Sequence, residues 1–284
     1  MDYISNKQFY TISRRYDMAE QHMKFDKVLV PIDGSVSSKV AIEIALHSAV
    51  EFSATLTFVF VIDVTSLNKF GTVDPSQEYY MAKIEGKMLL ENAAKLAEKK
   101  GAKHQEVLAE GAPWEILNEM SKDADLMMMS ITGKSGMMAG RIGSTAKKVI
   151  EGSYCPVLTV KSGSERIEKI LLPVYDENRP AIDYAIQTAK RSKSSVTVLS
   201  VREKGNDPQP LVDKIVSEIR ADGVEADGIV EDGDPVDVIL GMSGKYDLVV
   251  VGVDRRGGLH ILHGGATERI VTMAACPVTV VRNR

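Results

Sequence analysis

The stretch SITGKSGMMAGRIGSTAKKV, residues 130–149, packs glycines, hydroxyls and basic residues into one short run. That mixture suits an anion. Glycine lets backbone amides approach a phosphate closely, and a helix starting after such a loop presents unpaired N–H groups and a positive partial charge. Gly133-Lys134-Ser135 reads like the end of a G-x-x-x-x-G-K-S/T phosphate loop. The first glycine of that loop would fall on Met128, whose bulk argues against the tight turn. The spacing Ser130-x2-Gly133-x9-Gly143-Ser144 is more informative. It places Ser144 to donate a hydroxyl or cap a helix, and Lys134 and Arg141 to add charge. From these residues alone, a phosphate cradle and a plain glycine-rich loop with a serine cap both remain open. Upstream, PIDGS holds Asp33 in a turn. Aspartate favours such turns by accepting nearby N–H groups, so Asp33 is either a turn residue or a ligand.

The elements around these residues alternate between strands and helices. Val28 to Pro31 is a continuous apolar run, short enough for a buried strand. SSKVAIEIALHSAVEF then spaces Val40, Ala41, Ile44 and Ala45 on one helix face. Leu56 to Ile62 reads as a second strand, 77–100 as a long charged helix and Lys103 to Leu108 as a weaker strand. Pro113 opens a helix at a favoured position. Leu126 to Met129 is a strand, Gly143 to Glu151 a helix and Val157 to Val160 the last strand. Continuous apolar strands separated by helices imply a parallel sheet covered on both faces, with ligands at the carboxyl ends of the strands where the order reverses.

The chain then repeats itself. KVLVPIDGS returns as KILLPVYDE, GAPWEIL as GDPVDVI, ADLMMMSI as YDLVVVGV and CPVLTVK as CPVTVVR, in the same order. The offset shrinks from 142 residues (27 to 169) to 121 (155 to 276), and most of the missing length lies opposite 63–80. The expected division is an amino-terminal extension over 1–24, a first domain over 25–161 and a second over 166–282, joined by the polar KSGSER.

Bulk properties exclude several classes. Of 284 residues, 44% are hydrophobic and 26% charged, with a net charge of −4. No basic run suggests nucleic-acid binding, and no apolar run is long enough for a membrane helix. The first 23 residues lack a secretory apolar block, so the cytoplasm is the expected compartment, and Met23 is an alternative start. Cys155 and Cys276, each before a proline, are expected as buried free thiols.

On Ser130-x2-Gly133-x9-Gly143-Ser144, which matches a G-x2-G-x9-G-S/T signature but for Ser130 in place of the first glycine, on Pro31, Asp33 and Ser35 after the first strand, and on the CPV start of the last strand, the chain resembles the universal stress protein family in its tandem two-domain form. The resemblance implies an α/β fold of two tandem open five-stranded parallel sheets of order 3-2-1-4-5, sandwiched by helices, Rossmann-like and akin to the adenine nucleotide alpha hydrolases. It implies a nucleotide site in which Asp33 contacts adenosine and the main chain near Val61 contacts adenine. Met129, Ser130, Gly133, Gly143, Ser144 and Thr145 would hold ribose and phosphates, with Pro31 shaping the turn. ATP or AMP is the implied ligand, with Mg or Mn bridging phosphates. The last strands, 156–160 and 277–281, would form the seam between halves. A homodimer of chains and a signalling partner are further expectations, as is a role in stress response.

The second half departs from that pattern. Tyr175 stands where Asp33 does, and Arg255 replaces Gly133, while Gly252 and Gly264 match glycine positions and Gly265 replaces Ser144. This half is expected not to hold ATP in the same way; Arg255 or Arg256 would fill the pocket or take a lone phosphate. His260 and His263 lack companion ligands and read as loop, so no metal site is expected. Met127, Met128 and Met129 read as buried strand residues, Met137 and Met138 as loop or partner contacts, and Trp114 as packing. Lys134, Arg141 and backbone amides could stabilise a transferred phosphoryl group, but no residue stands out to position water. Binding is therefore favoured over catalysis. A slow ATP hydrolase and an interaction module without nucleotide are the alternatives.

Overall fold

The computed structural model describes residues 25–67, 74–133, 142–161, 166–202, 207–253 and 265–283. The extension 1–24, Lys134, Arg141, Met137, Met138, Arg255, Arg256, His260, His263 and Gly264 lie outside the described residues.

The first half runs β1 (Lys27–Pro31), α1 (Val36–Phe52), β2 (Thr55–Asp63), α2 (Pro75–Lys100), β3 (Lys103–Gly111), α3 (Pro113–Met120), β4 (Leu126–Met129), α4 (Ser144–Gly152) and β5 (Val157–Thr159). The second runs β6 (Lys169–Pro173), α5 (Arg179–Ser192), β7 (Ser195–Arg202), α6 (Gln209–Ala221), β8 (Ala226–Asp232), α7 (Pro235–Ser243), β9 (Leu248–Val253), α8 (Ala266–Met273) and β10 (Val278–Arg282). The long charged helix starts two residues before the expected 77, because Asp74 caps it by accepting from the Ser76 N–H at 2.8 Å and Pro75 sits at its first position. β3 runs three residues past the expected Leu108, since it pairs with β2 along its whole length.

Within each half the strand order is 3-2-1-4-5, and all neighbours are parallel. The two five-stranded units join edge to edge into one ten-stranded sheet through β5 and β10, the one antiparallel pair among the described strands. Val157, Leu158 and Thr159 face Val280, Thr279 and Val278 across this join, which coincides with the expected seam.

Alternate strand residues feed opposite faces. Val28, Val30, Leu126 and Met128 join α1, α2, α5 and α6 in one apolar cluster. Leu29, Met127 and Met129 join α3, α4, α7 and α8 in the other. Each cluster draws on both halves, so the cores are continuous across the join. Trp114 packs against the second cluster with the Lys148 ammonium 4.7 Å from its ring centre.

Cys155 and Cys276 are buried and free. The antiparallel register separates them by about six residues along the ladder, roughly 20 Å, too far for a disulfide. Burial pushes the Cys276 thiol up to about 11, which keeps it protonated and inert.

Candidate functional site

A cleft of about 470 Å³ opens over the carboxyl ends of β1, β2 and β4. Strand order reverses there: β2 lies on one side of β1 and β4 on the other. All nine residues singled out from the sequence line it. Pro31 and Asp33 come from the tip of β1, and Val61 comes from β2. Met129 and Ser130 end β4, Gly133 follows in the loop, and Gly143, Ser144 and Thr145 lead into α4.

Asp33 serves its own turn and faces the cleft at once. Its Oδ1 accepts the Ser35 N–H at 2.9 Å, while a Cβ placed on Gly133 would sit 2.9 Å from its Oδ2. Gly34, in the left-handed region at φ 79°, lets the chain turn away from the strand. Ser35 then caps α1 by accepting from the Ser38 N–H at 3.0 Å. A side chain at Gly133 would therefore press on the carboxylate, so the glycine loop and Asp33 bound one narrow crevice.

The loop is held from both sides. Ser37 Oγ meets Thr132 Oγ1 at 2.8 Å, tying α1 to the chain after β4. Gly143 N–H donates to the Ile131 carbonyl at 2.8 Å, which brings the two ends of the loop together. Ser130 has ordinary backbone angles, and its hydroxyl donates to the Thr132 carbonyl at 3.2 Å. A serine is thus accommodated where the sequence pattern has glycine.

The cap of α4 differs from expectation. Gly143, not Ser144, is the N-cap, and Ser144 is the first helical residue. Gly143 brings no side chain to the first-turn amides, so Ser144, Thr145 and Ala146 present N–H groups that the helix itself leaves without partners. All three residues line the cleft. Among the described lining residues there is no Lys or Arg. The attraction for an anion at these residues comes from amides and the helix dipole.

Sequence reading missed the far wall. Asp63 at the tip of β2, Ser66 and Leu67 beyond it, and Ala82 and Glu85 on α2 form that wall. Asp63 sits two residues past Val61 at a strand tip, a position that could have flagged it. Its Oδ1 accepts the Thr65 hydroxyl at 2.6 Å. Ala82 and Glu85 carry no such signal, because only the packing of α2 brings them over the sheet. No group of three or more His, Cys, Asp or Glu among the described residues forms a metal cage.

The matching end of the second half is built differently. The tip of β6 leads to Tyr175, which is half-buried against the second apolar cluster. The Asn178 side chain caps α5, accepting from the Ala181 N–H at 3.2 Å, and lies over Gly252: a Cβ there would meet its Cγ at 2.7 Å. Gly265, in the place of Ser144, is left-handed at φ 89°, so α8 starts one residue later than α4.

Comparison with known proteins follows the same division. The profile of the Universal stress protein family matches residues 24–161 and 213–282; the gap between contains Tyr175 and Asn178. A universal stress protein of Methanocaldococcus jannaschii is 36% identical over 142 residues, covering 48% of this chain and 82% of that protein. One of Mycobacterium tuberculosis is 24% identical over 286 residues, covering 90% of this chain and 96% of that one. The crystal structure of a universal stress protein from Archaeoglobus fulgidus superposes with a TM-score of 0.77 at 21% identity, over 91% of this chain and 99% of that one.

Proposed function

The chain belongs to the universal stress protein family, and from that premise we propose that its first half binds one adenine nucleotide per chain and acts as a regulatory binding protein. The supporting observation is the crevice between the Asp33 carboxylate and the glycine loop, beneath the uncapped amides of α4. Asp33 would accept hydrogen bonds from the adenosine portion. The Val61 backbone would meet the adenine, whose flat apolar faces suit the Val59, Leu117 and Met129 side of the cleft. Ribose and phosphates would run past Ser130 and Gly133 towards Gly143, Ser144 and Thr145.

ATP is the first choice of ligand, with ADP and AMP next. Since no described metal cage exists, a bridging Mg or Mn would take most of its oxygens from the nucleotide itself. The proposed functional division is 25–161 for the binding half and 166–282 for a half without this site. Its role is binding, with slow hydrolysis as the alternative that a phosphate-release assay with Mg²⁺ decides.

Calorimetric titration with ATP, ADP and AMP tests the proposal. One saturable site per chain is expected. Two equal sites, or no saturation by millimolar nucleotide, would overturn it.

A further inference from the structure

Helix α4 carries the proposed phosphate-binding amides at one end, and its other end is held by the opposite half. With nine residues it is only about 13 Å long, so a tilt at one end is felt at the other. Its last-turn carbonyls lack helical partners. One of them, Ile150 O, accepts from Arg282 Nη1 at 3.3 Å, and Arg282 ends β10. Midway along the helix, Lys147 Nζ pairs with Glu268 Oε2 of α8 at 2.8 Å. This contact raises the Lys147 pKa, the hydrogen bond that the ammonium donates to Glu268 being the main cause. Between these helices lies a small cavity of about 100 Å³, lined by Lys147, Glu151, Glu268 and Arg282.

The arrangement is reciprocal. Lys161 stands six residues after Cys155, as Arg282 stands six after Cys276. Lys161 Nζ reaches across the join to the Thr272 carbonyl at 3.3 Å and to the Ala274 carbonyl, at the end of α8. Each half therefore supplies a cation to the carboxyl end of the other half's last helix, where it complements the helix dipole. Only α4 opens at its amino end onto the cleft described above.

We propose that Arg282 and Glu268 of the second half are positioning residues that hold α4 in place for phosphate, so the half without the site sets the affinity of the half that has it. The inference rests on the nucleotide reading above. Adenosine would engage the Asp33 and Val61 end and be indifferent to α4, whereas ATP requires it.

The test measures ATP and adenosine binding to the whole chain and three variants. Arg282→Met should weaken ATP about 5- to 10-fold and leave adenosine unchanged. Arg282→Lys, which keeps the charge, should restore most of the loss. Lys161→Met removes the mirror contact on α8 and should leave ATP affinity unchanged. If Arg282→Met fails to fold, the charge pair decides. Glu268→Lys should weaken ATP, and the double swap Lys147→Glu with Glu268→Lys should recover it. Equal losses in Arg282→Met and Lys161→Met, an equal loss for adenosine, or no loss at all would overturn the brace. Wild-type chain that takes up neither ligand would instead overturn the nucleotide reading, and the brace with it.

Discussion

The two halves agree at the amino ends of their strands and differ at the carboxyl ends. At the amino ends, Asp125 Oδ2 accepts the Asp26 and Lys27 N–H groups, both at 2.9 Å, and Asp247 Oδ2 accepts those of Glu168 and Lys169 at the same distance. Ser121 Oγ accepts the Tyr154 N–H at 2.7 Å, and Ser243 Oγ accepts the Ala275 N–H at 2.9 Å. At the carboxyl ends, Asp33 faces Gly133 in one half, while Tyr175 and the Asn178–Gly252 contact replace them in the other. One end of the sheet is built alike in both halves and, among the described residues, the other holds the cleft in the first half alone, so the two ends can differ without a change in packing.

The largest effect should come from copying the second half into the first. Gly133→Arg drives a side chain into Asp33 and should weaken ATP at least ~100-fold with the melting temperature little changed. Copying a residue of the first half into the second, Tyr175→Asp should create no second site, because Asn178 and the backbone of Gly265 remain. A stoichiometry of two in that variant would break the comparison.

A smaller effect separates the halves by pH. Six residues past its helix cap the first half has Ala41, and the second has Tyr184, buried with Thr279 Oγ1 donating to its hydroxyl at 3.2 Å and Phe25 edge-on at 5.4 Å. Burial pushes the phenol up to about 12 from 10.0. The native state keeps a proton that the unfolded chain loses above pH 10. The associated stability is present below pH 10 and lost as pH rises through 12, at most about 2–3 kcal/mol. Urea denaturation at pH 9 and pH 11 should show this fall in the wild type and a flatter profile in Tyr184→Phe.

The smallest effect tests the shared end. Asp125→Ala and Asp247→Ala should each cost about 1–2 kcal/mol, equally, because each removes two backbone hydrogen bonds to a carboxylate. ATP affinity should not move in either. Unequal costs in chemical denaturation would show that the two frames are not equivalent after all.

Much of this division could be read from the chain. Val28 to Pro31 and Leu126 to Met129 are apolar without interruption and too short for a helix, as strands covered on both faces are. Ser130 follows one such run directly and Asp33 lies two residues past the other, but it is the family resemblance that joins them with Gly133 and Gly143 into one site. Less visible was what depends on distance through space. Glu85 reaches the cleft only through the packing of a long helix, and Arg282 is one basic residue at a strand end with nothing in its neighbours to mark it. The change of cap from Ser144 to Gly143 turned on a single residue's backbone angles, which spacing does not encode.

The β5–β10 join has a consequence for how such halves can evolve. Two separate chains meeting at these edges would also pair like with like, and only some assemblies would unite two unlike units. Covalent connection raises the local concentration of the intended mate so far that mismatched pairs are outcompeted. Each molecule is thus born heterodimeric, and one member is free to drift.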